Sequence, residues 1–422
     1  MEEPYGISVI IPTLWRPSFF KQTLDKLCKH KKVEEIIIIS NSEPNVRIQH
    51  PKIKILQQKG NIGVNPAWNL GVSVAKCDDV LILNDDLKFD LSFIDECIKN
   101  KDKYAIQSIN FDSQETKHKT ITTRSLGFGC CFFMNKKDYT KIPEDLLIYF
   151  GDDWLFYNCL FADKKIALIP NITNNGILST SSKSVANRSL VELALFSKHF
   201  DSILKHTYKF SVIIPYHYSV VSIEQINSLL SSLRKQTYKD FEILLIHDGP
   251  NKDSDNLQLE GVSYIETEKR YNDWGHSLRD LGIRSAKGQY ILFLNCDNVL
   301  YENALQELSN LSEDPIEGSF SYGDFRFSSR DIIIFPIILK GQTTDGYHLF
   351  REPNSTKDLI LTGYPPEKNY IDCMQLVMRR SKWIYYGGWY DKSFAADGEM
   401  YPRLVRENLG AIYGSEILGE HK

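Results

Sequence analysis

Two tandem α/β domains, each built on a mostly parallel sheet, are predicted by three observations. The pentapeptide SVIIP occurs at residues 8–12 and again at 211–215. Further correspondences follow in the same order: Asn69-Leu70-Gly71 with Asp280-Leu281-Gly282, Ala75-Lys76 with Ala286-Lys287, and Leu83-Asn84-Asp85-Asp86 with Leu294-Asn295-Cys296-Asp297, each pair 211 positions apart. That period is far too long for a solenoid and fits two copies of one domain. In each copy, short continuous apolar runs alternate with helical patterns, as expected of strands covered on both faces. The length of 422 residues agrees with two domains.

Each copy opens with a β-branched strand, 7–11 and 210–214. A helix is expected over 18–30 and 222–236, then a second buried strand at 35–39 and 242–246. A second helix covers 66–75 and 276–286, and a third strand, 80–83 and 290–294, runs into an acidic turn. Ligands of such sheets lie beyond the C-terminal strand ends, and the main polar motifs follow strands directly. A polar stretch at 174–189 and an amphipathic helix near 190–205 separate the copies. The first domain is placed at 1–187, the linker and helix at 188–208, and the second domain at 209–422. A cut at 187–189 is expected to release two separately folding halves.

Hydrophobic residues make up 42% of the chain and charged residues 25%, an ordinary globular balance. The net charge of -4 argues against an electrostatic grip on bulk nucleic acid. Eight cysteines are scattered without any CxxC, so free thiols in a reducing compartment are the simplest account. The N-terminus shows no secretory pattern, and the apolar run 332–339 is broken by Pro336 and too short for a bilayer. The expected location is cytoplasmic, with peripheral membrane association left open. Gly127-Phe128-Gly129 lacks the context of a dinucleotide fingerprint, and no phosphate-loop lysine motif occurs.

The acidic turns Asn84-Asp85-Asp86 and Asn295-Cys296-Asp297-Asn298 are the sharpest chemical feature. Carboxylates leaving a buried strand can hold Mg²⁺ or Mn²⁺, which can bridge to a diphosphate. The same residues also form ordinary β-turns. Recurrence in both copies favours the chemical reading.

With these turns the chain resembles the family-2 glycosyltransferases of the GT-A fold. The resemblance is carried in the second copy by His247-Asp248-Gly249-Pro250 and Arg279-Asp280-Leu281-Gly282. In the first it is carried by Asn61-Ile62-Gly63, Asn69-Leu70-Gly71 and Asn84-Asp85-Asp86. It implies a nucleotide-sugar donor (UDP-, GDP- or dTDP-linked) and a glycan, lipid-linked or other hydroxyl acceptor. It also implies metal contact at Asp86 and Asp297, and nucleotide contact at Asn41, Asn69, Asp85, Asp248, Arg279 and Asp280. Thr13, Arg16 and Tyr216 are candidates to flank the base, with ordinary loop structure the alternative. Asn41 stands where the family carries an acid, and the first metal-motif acid is Asn in both copies.

The resemblance extends to Gly151-Asp152-Asp153-Trp154 and to Gly387-Gly388-Trp389-Tyr390-Asp391 followed by Ala396-Asp397-Gly398-Glu399. It assigns the base to Asp153 and Asp397, with Asp152 or Glu399 raising its pKa or holding the acceptor. Without the resemblance these are acids favoured at a helix start. Trp68, Trp154, Trp274 and Trp389 lie near motif positions, where core filling is the simpler expectation and sugar stacking the alternative. His421 reads as part of a frayed tail, although a late His is a metal ligand in some GT-A enzymes. The expected activity is metal-dependent, inverting glycosyl transfer, with two working sites. The rival is one catalytic domain beside one domain that binds glycan or partner. A nucleotidyltransferase fits less well, because neither first strand is followed by a Gly-rich phosphate loop.

Overall fold

The computed structural model describes residues 5–43, 48–88, 90–111, 117–122, 127–170, 183–251, 257–313, 320–322, 325–327, 331–340, 342–344, 349–351, 358–368, 370–389, 392–393, 396–407 and 410–422. Tyr390, Asp391 and the polar stretch 174–182 lie outside them. The chain divides into two compact units, Met1–Ile203 and Leu204–Lys422.

The first unit is an eight-stranded mixed sheet. Strands Ile53–Gln57, Val33–Ser40, Ile7–Thr13 and Asp79–Leu83 lie side by side in that order, all parallel. Cys131–Asn135 adds antiparallel to Asp79–Leu83, and Ile106–Asn110, Ile166–Pro170 and Lys119–Ile121 complete the sheet. The second unit repeats the arrangement with Val262–Glu266, Phe241–His247, Tyr208–Tyr216 and Gly288–Phe293, followed by antiparallel Leu376–Arg379. Strand order reverses beside Ile7–Thr13 and beside Tyr208–Tyr216, which is where α/β sheets open a crevice. Strand Ile7–Thr13 is buried throughout, and Val33–Ser40, Tyr208–Tyr216 and Phe241–His247 are buried except near their N-terminal ends, as their apolar runs require.

The edge strands Ile53–Gln57 and Val262–Glu266 escaped the sequence reading. Both alternate half-buried and exposed positions with polar residues, so neither carries a continuous apolar run. The first helices run Phe20–Lys29 and Ile223–Arg234, slightly shorter than expected. The first buries Phe20, Leu24 and Leu27 on one stripe. The second starts at a capping box between Ser222 and Gln225.

The repeat extends to hydrogen bonds. Ser8 Oγ donates to Glu35 at 2.7 Å, and the Lys76 N–H donates to the same carboxylate at 2.6 Å. In the second unit Ser211 Oγ donates to Glu242 at 2.6 Å, and the Lys287 N–H does so at 2.5 Å. Gly71 and Gly282 each lie directly on an isoleucine of the first strand, Ile10 and Ile213, leaving no room for a Cβ.

The joining helix runs Lys183–Leu204 and packs within the first unit instead of acting as a linker. Phe196 stacks on Phe150 at 5.2 Å, and Glu192 accepts the N–H groups of Ile148 and Tyr149 at 2.9 and 2.7 Å. A cut at 187–189 therefore falls inside a helix. The C-terminal segment is not frayed either. Gly419–His421 is a strand between Asn298–Leu300 and Ile337–Leu339 in a small four-stranded sheet of the second unit. No helix among the described residues is long and apolar enough to cross a membrane.

Candidate active site

A cleft of about 560 Å³ opens at the C-terminal strand ends of the second unit. Tyr216, Asp248, Arg270, Trp274, Asn295 and Asp297 are among the residues lining it. Asp248 leaves strand Phe241–His247, and its carboxylate accepts the N–H groups of Tyr271 and Asn272 at 2.7 and 2.9 Å. The Tyr216 hydroxyl donates to that of Tyr264 at 3.1 Å and accepts from Asn251 at 2.9 Å. Burial raises its pKa. Tyr216 and Asp248 thus both line the cleft.

The acidic turn follows strand Gly288–Phe293. Asn298 Oδ1 accepts the Asn295 N–H at 2.6 Å and closes the turn. Arg279 donates to Asn295 Oδ1 at 2.8 Å and to the Trp274 carbonyl at 2.9 Å, with its guanidinium 4.8 Å above the Trp389 ring. It is buried beneath the cleft and does not line it. Its role is to hold the turn and the opposite loop together. Asp280 also turns away from the cleft. It accepts from the Trp389 N–H and Lys392, both at 2.5 Å, and so fixes the loop ahead of the late acids.

The second face of Asp297 meets His421. His421 Nε2 lies 3.3 Å from Asp297 Oδ2, and Nδ1 lies 2.9 Å from Asp372 Oδ2. Although burial opposes its charge, the two carboxylates push the imidazole up to about 10, and Asp372 is held below the usual carboxylate range despite burial. Asp372 was absent from the sequence reading. It caps the short turn Cys373–Gln375, and nothing local marks it apart from an ordinary cap.

Asp397 lies in the first turn of helix Ala396–Glu407. Burial pushes its pKa up to about 6, and Asp372 adds to the rise. Glu399, expected as the neighbour that does this, is exposed and bonded to Lys368 at 2.6 Å. The helix period turns position 399 away from position 397.

The first unit brings its equivalents to the same strand ends and engages Thr13, Asp85, Asn41 and Asn69 within its own structure. Thr13 Oγ1 donates to Asp85 at 2.6 Å, and burial, with Asp86 adding, pushes Asp85 up to about 6. Asn41 binds the loop ahead of helix Val64–Val74 through the Gly63 carbonyl and the Ile62 N–H. Asn69 is engaged with Tyr139 and with both the N–H and the carbonyl of Ile142, not with a ligand site. Trp68 occupies the place of Arg279 and packs edge-on against Phe132. Trp15 is buried at 4% exposure, with its indole N–H on Ser40. Arg16 is exposed near Asp85. Asp86 is half-buried, and Asp152 and Asp153 start helix Gly151–Phe161, with Asp152 against Gly129.

The model for the family described as Glycosyl transferase family 2 matches residues 8–162 and 211–382, most of the chain. The chain belongs to this family. Both matched stretches contain the strand ends described above. An uncharacterized glycosyltransferase of Rickettsia felis is 37% identical over 108 residues, 24% of this chain and 17% of the relative. The chondroitin synthase of Escherichia coli is 25% identical over 225 residues, 47% of this chain and 32% of the relative. A protein of E. coli named UDP-Glc:alpha-D-GlcNAc-diphosphoundecaprenol beta-1,3-glucosyltransferase WfgD is 26% identical over 133 residues, 30% of this chain and 49% of the relative. Each match spans less than half of the relative's length.

Among the described residues, no three or more His, Cys, Asp or Glu side chains converge on one metal position. Asp297 and His421 nevertheless form a donor pair that suits a divalent cation. One supplies a carboxylate oxygen, and the other an imidazole nitrogen whose ring is oriented by Asp372. Phosphate oxygens and water would complete such a shell.

Proposed function

We propose that the second unit is a glycosyltransferase site that moves a sugar from a nucleoside diphosphate, UDP in the first instance, to an acceptor hydroxyl. The observation that carries this reading is the open cleft running from Asp248 to Asn295 and Asp297. The UDP choice draws on the donor in the name of the E. coli relative WfgD. Asp297 and His421 would hold Mn²⁺ or Mg²⁺, which supplies charge neutralisation for the departing diphosphate. Binding it requires His421 to give up its proton.

Asp397 is the base. It takes the acceptor hydroxyl proton while that oxygen bonds to the anomeric carbon, and the nucleoside diphosphate leaves with the electron pair of the broken bond. One displacement of this kind inverts the anomeric centre. A pKa of about 6 keeps Asp397 ionised at neutral pH and basic enough for the task.

The first unit serves as a non-catalytic partner in this reading, because Thr13 and Asp85 bond each other, Asn41 and Asn69 bond its own loops, and Trp68 stands where the second unit has Arg279. The boundary between the units lies at about residue 204, behind the joining helix. Hydrolysis of UDP-glucose, UDP-N-acetylglucosamine, GDP-mannose and dTDP-glucose by the full chain, with Mn²⁺ and with chelator, tests the proposal. Metal-dependent release of UDP that is lost in Asp297→Asn is expected. No release from any donor, or equal release after chelation, counts against it.

A further inference from the structure

Eight large hydrophobic side chains stand exposed among the described residues, and four of them lie on two loops tied to the adjacent residues His247 and Asp248. Tyr218 (43% exposed) and Val220 (74%) lie on the loop after strand Tyr208–Tyr216. Tyr271 (45%) and Trp274 (64%) lie on the loop before helix His276–Ser285. Val220 and Trp274 line the cleft itself. Isolated exposed apolar residues are ordinary, but a cluster at the rim of a polar cleft marks a binding surface.

The loop carrying Trp274 is rigidly held. Asp248 fixes the N–H groups of Tyr271 and Asn272, Asp273 accepts from the Ser277 N–H and hydroxyl, and Arg279 grips the Trp274 carbonyl. Asn272, Trp274 and Gly275 take left-handed φ values of 55°, 61° and 80°. For a bulky residue that backbone is strained, and such strain gathers at functional sites. Here it turns a large ring out of the core. Arg279 also holds Asn295, so the ring is anchored to the acidic turn and not only to the Asp248 end.

We propose that Trp274, flanked by Tyr271, is a stacking platform for a pyranose ring of the acceptor glycan. The inference rests on the glycosyltransferase reading of the second unit. The flat apolar face of an indole matches the C–H face of a sugar, while Arg270 and Asn272 beside it can bond hydroxyls. The acceptor fits better than the donor because the ring lines the cleft while remaining 64% exposed. The donor's diphosphate belongs deeper, at Asp297.

The test uses the full chain with UDP and Mn²⁺ present. Saturation-transfer NMR measures binding of the methyl α- and β-glycosides of glucose, galactose, N-acetylglucosamine and N-acetylgalactosamine. Trp274→Gly suits the left-handed backbone, Trp274→Phe keeps a ring, and Ile360→Ser alters an exposed residue elsewhere. Loss of the platform is expected to weaken sugar binding about tenfold more than UDP binding, with Trp274→Phe retaining most of it. Ile360→Ser should match wild type. No sugar binding by wild type, equal sugar binding by Trp274→Gly, or an equal loss of UDP affinity would each overturn the proposal. A wild type that hydrolyses donors yet fails these measurements leaves the glycosyltransferase reading intact. Absent hydrolysis strikes that reading instead.

Discussion

The two units share their scaffold and differ where the strands end. Ser8, Glu35 and Gly71 perform the same packing tasks as Ser211, Glu242 and Gly282. The paired registers place Thr13 beside Ser40 and Tyr216 beside His247 at matching positions. In the first unit these are small residues, and Trp15 folds in over Ser40 while Thr13 bonds Asp85. In the second they are large aromatic residues that brace each other at 4.7 Å, and Cys296 replaces Asp85. Trp68 against Arg279 is a sharper contrast. One fills space, whereas the other bridges the acidic turn to the opposite loop. A sheet can thus be kept intact while a handful of strand-end residues decide whether its polar groups face inward or face a cleft.

The largest expected effect separates the units directly. Asp397→Asn should lower transfer by about 10²–10⁴-fold, the usual worth of a general base. Asp153→Asn should leave transfer near wild type. Product analysis of both variants checks this, and loss of activity in Asp153→Asn would restore the two-site expectation. The wild-type rate should also rise with pH through about 6 as Asp397 ionises.

Metal binding is expected to be one-sided as well. Mn²⁺ at 100 times its dissociation constant should stabilise the chain by about 2.7 kcal/mol, read as a rise in melting temperature. Asp297→Asn and His421→Gln should abolish the rise, and Asp86→Asn should keep it.

The buried acids sharpen the comparison from another side. Asp85 and Asp397 are both raised from 3.8 to about 6. A raised carboxyl favours folding below its unfolded pKa, and that contribution is lost as pH rises through about 6. Asp85→Asn and Asp397→Asn should therefore both melt higher than wild type above pH 6. Only the second should lose activity. The smallest effect on activity belongs to Thr13→Val, which removes the hydrogen bond to Asp85 and the acceptor of the Trp15 N–H. It should cost about 2 kcal/mol in denaturant unfolding with no change in transfer.

The repeat, the parallel strands and the acidic turns were legible because each is a local pattern. The place of Asp397 in the first turn of a helix was legible for the same reason. What stayed hidden depended on contacts between distant segments. Asp372 lies 49 positions before His421 and 25 before Asp397, and no spacing rule joins them. Asn69 and Asp280 carry the family's polar motif, yet both are anchors for loops more than 70 residues downstream. Glu399 was misplaced because two acids two residues apart on a helix face different sides. The edge strands were missed because solvent interrupts their apolar pattern.

The paired carboxylate clamps have a kinetic consequence. Lys76 and Lys287 sit just past helices, where amide hydrogens ordinarily trade with solvent deuterium quickly. Their N–H groups instead end on Glu35 and Glu242, which leave the neighbouring strand at 2.6 and 2.5 Å. Each amide is released when the clamp between helix end and strand opens, so its rate reports that opening and not the fraying of the last helical turn alone. Deuterium uptake at Lys76 and Lys287 should match that of the central strands and should quicken sharply in Glu35→Gln or Glu242→Gln, each in its own unit alone.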